Sequence, residues 1–129
     1  MRQPISQNEL FFFDAHPAAL PLYETFRAAV LSKVPTARIE VKKTQISFFQ
    51  HYMFAAVSFT PVRKAKARPN PFLTITFGLP YRKVSDRIDV ATEPYPNRWT
   101  HHMTIGQKEE IDHELLSWIE EAAAFAERK

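Results

Sequence analysis

The sequence predicts an α+β fold: two layers, with a mainly antiparallel sheet of five or six strands and N- and C-terminal helices packed on one face. Three observations predict it. Apolar residues recur at 3.6-residue spacing in a segment near each terminus. Between those segments, several runs alternate apolar and polar residues with a period of two. The turns joining these runs are too short for the crossover helices that parallel strands require. No repeat and no break in composition divides the 129 residues, so a single domain over 1–129 is expected.

Each element has its own grounds. Leu10-Phe11-Phe12-Phe13 is an apolar anchor expected to pack on the core. Asp14 to Pro17 reads as a helix start, because Pro17 and Pro21 are tolerated only in a first turn, where no backbone N–H is needed. The helix proper is expected from about Leu20 to Lys33, with Leu22, Phe26, Ala29, Val30 and Lys33 on one face, and Pro35 stops it. Ala37, Ile39 and Val41 then alternate with Arg38, Glu40 and Lys42, a strand with one wet face. Gln45 to Phe49 is a second strand. Tyr52 to Phe59 is apolar on both faces apart from Ser58, which places it centrally. Residues 60–71 form a loop with three prolines and four cations: Arg63, Lys64, Lys66 and Arg68. Phe72 to Phe77 is a strand with Leu73, Ile75 and Phe77 inward, ended by Gly78-Leu79-Pro80. Arg87 to Ala91 reads as a short strand and Pro94 to Asn97 as a turn. Arg98 to Ile105 alternates again, with Trp99, His101, Met103 and Ile105 on one side and Arg98, Thr100, His102 and Thr104 on the other. From Lys108 to about Glu127 runs the clearest helix, with Ile111, Leu115, Trp118, Ala122 and Phe125 as its buried stripe.

Composition excludes several classes. With 45% hydrophobic and 24% charged residues the chain is neither disordered nor fibrous. No apolar run approaches the ~18 residues of a membrane span, and the start lacks a secretion signal, so a cytoplasmic protein that does not enter the membrane is expected. There is no cysteine, hence no disulfide and no thiolate ligand or nucleophile. Gly78 and Gly106 stand alone, which excludes a glycine-rich phosphate cradle. The serines sit in no nucleophile elbow. Glu40-Val41-Lys42 matches the E-x-K element of metal-dependent nucleases, but the nearest upstream aspartate, Asp14, precedes the first helix. His101 and His102 are adjacent, so in a strand they point to opposite faces and do not share a metal. No cofactor and no metal is expected.

Charge is more informative. The net charge of +3 divides into −1 over residues 1–32, +8 over residues 33–100 and −4 over residues 101–129. A basic middle and an acidic last helix either face each other in the fold or leave the basic part for an anionic partner. On the second reading, a strand-end cleft of Lys43, Gln45, Arg82, Arg87, Arg98 and His102 takes an anionic ligand, and the aromatic rings interleaved with the cations suit nucleic acid as one such ligand. The cations hold the anion, while Gln45 and His102 give directional hydrogen bonds. A different reading is a small enzyme acting on a phosphate- or carboxylate-bearing substrate, with His101 or His102 as general acid or base beside Arg98 and Asp86. A third is a protein-interaction adaptor, including a charge-driven homodimer.

Three runs carry a resemblance: Lys42-Lys43-Thr44-Gln45-Ile46-Ser47-Phe48, Phe77-Gly78-Leu79-Pro80, and Pro94-Tyr95-Pro96-Asn97-Arg98-Trp99-Thr100-His101-His102. Together they resemble a family of small bacterial domains of unknown function, over Phe12 to Phe125. The resemblance implies no activity. More distantly, the helix–sheet–helix order and the Trp-bearing strand before a terminal helix are similar to YjbR/MmcQ-type and frataxin-like domains. The former likeness implies DNA binding through a double-wing surface. The latter implies iron binding through an acidic first helix, yet the first helix here has only Glu24.

Overall fold

The computed structural model describes residues 3–128. Six strands, β1 (Arg38–Val41), β2 (Gln45–Phe49), β3 (Met53–Ser58), β4 (Leu73–Leu79), β5 (Val90–Tyr95) and β6 (Arg98–Ile105), form one sheet in the order β1-β2-β3-β4-β6-β5. Every neighbouring pair is antiparallel. Three α-helices, α1 (Gln7–Phe12), α2 (Leu20–Lys33) and α3 (His113–Arg128), complete the fold. This is the two-layer α+β architecture that the alternation and the terminal helical periods imply.

Register sorts the side chains into two faces. Ile46, Phe48, Ala55, Val57, Leu73, Ile75, Phe77, Met103 and Ile105 share the helix-covered face, and all are buried. From α3, Leu115, Trp118, Ile119 and Ala122 close onto it, and Trp118 stacks on Phe77 with centroids 5.9 Å apart. From α2, Phe26 meets Phe48 edge-on at 5.8 Å. Fully burying such a ring contributes roughly 1.5–3 kcal/mol. The other face carries Ser47, Ala56, Ser58, Thr74, Thr76, Thr100, His102 and Thr104, small and mostly polar residues with no helix over them.

Some boundaries differ from expectation. β4 continues through Gly78 and Leu79, which pair with Thr100 and Trp99 of β6. β5 lies three residues later than expected and contains Pro94. As the edge strand it tolerates a missing N–H, and its register shifts between Thr92 and Tyr95. The turn narrows to Pro96-Asn97, with Asn97 at φ 61. The last helix starts at His113 rather than Lys108. A 3₁₀ turn at Lys108–Glu110 precedes it, closed by the Glu110 carboxylate on the N–H groups of Gly106 and Gln107. Asp112 then accepts the Leu115 N–H and acts as the cap. No helix among the described residues is long and apolar enough to cross a membrane.

Candidate functional site

The β1–β2 turn and the β3–β4 connection emerge at the same end of the sheet, because Gln45 pairs with Ser58 and Ser58 with Thr74. Phe59, the first residue after β3, is the hub of that end. It stacks with His16 at 3.9 Å and with Phe12 at 5.8 Å, and meets Phe13 and Phe72 edge-on. Two open hollows share Phe59 as a wall. One, about 450 Å³, is lined by Phe11, Phe12, Lys43, Thr44 and Thr60. The other, about 490 Å³, is lined by His16, Arg68, Asn70, Phe72 and the loop prolines Pro69 and Pro71. The Arg68 guanidinium lies over the Phe72 ring, 5.4 Å from its centroid. Neither wall contains a carboxylate. Lys64 and Lys66 stand exposed on the same loop.

The loop is held in place. Arg63 ion-pairs with Asp89 at 2.9 Å, whose other oxygen accepts the Thr104 N–H. Thr74 Oγ1 donates to the Thr60 carbonyl at 2.7 Å. Pro69 sits against Gly106, where an added Cβ would lie 2.3 Å from the proline ring.

The six residues singled out in the sequence fall into separate neighbourhoods. Lys43 belongs to the Phe59 end. Gln45 and His102 lie on the helix-free face: Gln45 donates to Ser47 Oγ at 2.8 Å, and His102 Nδ1 shares a 2.9 Å hydrogen bond with Thr76 Oγ1. Arg82 and Arg98 lie at the opposite end of the sheet, Arg82 over Trp99 and Arg98 over Phe125. Arg87 is bound along α3, donating to Asp112, Glu114 and the Glu110 carbonyl.

The two histidines separate as strand alternation requires. His101 is fully buried, stacked on Phe77 at 4.9 Å, and its Nε2 accepts the Lys83 N–H. His102 is half-buried. Burial lowers both pKa values below the ordinary histidine value. Glu40 of the E-x-K run is held between Lys42 at 2.9 Å and Arg38 at 3.0 Å, and those hydrogen bonds lower its pKa. Among the described residues no group of three His, Asp or Glu side chains is arranged to hold a metal ion.

His16, Phe59, Arg68 and Phe72 were not among the sequence-derived site residues. The loop's cations are visible in the sequence, and so is a signal for the rings: Phe59 and Phe72 bracket the basic loop. Nothing in the sequence announces His16, which the bend between α1 and α2 brings onto Phe59.

The chain matches a family described as a domain of unknown function, DUF5655, over residues 9–126. No curated protein and no solved structure matches it. The chain belongs to the DUF5655 family.

Proposed function

We propose that this domain is a binding module for nucleic acid and that the Phe59 end of the sheet is its principal contact. The observation that carries the reading is the absence of acids where cations gather. Lys43, Lys64, Lys66 and Arg68 have no carboxylate partner among the described residues, whereas Lys83 and Arg87 are neutralised by α3. Cations without counter-ions beside accessible rings suit a phosphate backbone with bases attached. On this reading Gln45 and His102 supply directional hydrogen bonds on the adjoining face. Arg82 and Arg98 form a second phosphate contact at the far end, and Arg87 keeps the 80–89 loop on α3.

Fluorescence anisotropy with a labelled oligonucleotide at low salt tests it. The double variant Lys43→Glu/Arg68→Glu exchanges two attractive charges for two repulsive ones and is expected to weaken binding about a hundredfold, at roughly tenfold for each reversed phosphate contact. Unchanged affinity in a folded double variant contradicts the reading.

A further inference from the structure

We infer that the hollow beside His16 takes one unpaired base, so that the domain selects single-stranded over duplex nucleic acid. The inference rests on the reading of this end as a nucleic-acid interface and adds what enters it. Phe59 and His16 are stacked at 3.9 Å and 23°, a geometry in which one ring already serves as a platform for another. His16 is the exposed member of that pair, and no second ring contacts it among the described residues. A base laid on its outer face would extend the stack that Phe12 and Phe59 begin.

The remaining walls fit the rest of a nucleotide. Arg68 is fixed over Phe72, which leaves the edge of its guanidinium for a phosphate. Asn70, exposed in the same wall, offers both an amide donor and a carbonyl acceptor to a base edge. On the other side of Phe59, Lys43 lines the neighbouring hollow and can hold the adjacent phosphate. The hollow is about 490 Å³, room for a nucleotide and far too small for a base pair within a double helix. A duplex keeps its bases stacked inside, so only its phosphates would reach Lys43, Lys64 and Lys66.

The full chain can be titrated with three probes of one sequence: a single strand, its duplex, and the same single strand carrying abasic sites. The intact single strand is expected to bind about tenfold more tightly than either of the others, the scale of one stacked base. His16→Ala, a change at an exposed position, is expected to weaken the intact strand by about fivefold or more and to leave the abasic strand unaffected. Equal binding of intact and abasic strands, or an intact strand indifferent to His16→Ala, overturns the base pocket while leaving the phosphate interface standing. If none of the three probes binds, both readings fall.

Discussion

Glu9 is a carboxylate taken out of water and surrounded by donors. Arg27 Nε donates to its Oε2 at 2.7 Å, the Tyr23 hydroxyl donates to the same oxygen, and the Ser6 N–H donates to Oε1 at 2.8 Å. The Arg27 guanidinium also reaches the carbonyls of Gln3 and Pro4, so one residue of α2 ties down the N-terminal segment. Burial alone would raise the Glu9 pKa, but the bonds from Arg27, Tyr23 and Ser6 outweigh it and leave it lowered. A carboxylate lowered in the folded state contributes stability above its ordinary value, and that contribution is lost as pH falls through the folded value. Buried His101 acts in the same direction, because the unfolded chain takes up its proton first. Acid therefore destabilises the domain. Glu9→Gln should lower stability near neutral pH and flatten the acid limb, as read by urea denaturation at a series of pH values. An unchanged acid limb would show that the cluster contributes nothing. In the sequence Glu9 was only one negative charge, since its partner lies 18 residues away. Pairing across that distance depends on the turn between the helices, which periodicity does not encode.

At the scale of elements, the β3–β4 connection is pinned at three places: Arg63 to Asp89, Thr74 to Thr60, and Pro69 on Gly106. The last contact requires glycine. A methyl group at position 106 would collide with the proline ring at 2.3 Å and crowd the Pro71 carbonyl at 3.2 Å. Gly106→Ala should cost about 1–3 kcal/mol as an overpacking change. It should also weaken oligonucleotide binding, because the displaced loop carries Arg68 and the wall of the larger hollow. Thermal melting and anisotropy read the two effects, and a variant with unaltered melting and binding would remove the glycine's role. The sequence located β2, α2 and β6 to the residue, since each has an unbroken period and a clear stop. It misplaced β5 and the start of α3, where a proline in an edge strand and a side-chain cap override the apolar pattern. The loop was legible as a loop, but which way it folds was not, because tertiary contacts alone decide that.

The whole molecule divides its cations by what faces them. The basic middle and the acidic last helix do meet, through Lys83 on Glu121 and Arg87 on Asp112 and Glu114. These are partly exposed pairs, worth little to stability, but they remove two cations from the free surface. Among the described residues, the cations without an ion pair include Lys43 and the loop's Lys64, Lys66 and Arg68 at one end of the sheet, Arg82 and Arg98 at the other, and Lys33 at the end of α2. The +8 read from the sequence was thus real, while its distribution depended on strand order. On the proposed reading, Arg98→Glu weakens a short oligonucleotide less than Lys43→Glu does, and the gap closes for an oligonucleotide long enough to span both ends. A larger effect at Arg98 on the short probe would move the principal contact to the Trp99 end. The central claim is that phosphates are held by four uncompensated cations. Its most direct measurement is the affinity of the unmodified domain for a single-stranded oligonucleotide across a salt series. Four phosphate contacts predict that the logarithm of the association constant falls against the logarithm of salt concentration with a slope of roughly −3. A slope near zero, or no binding at low salt, would contradict it.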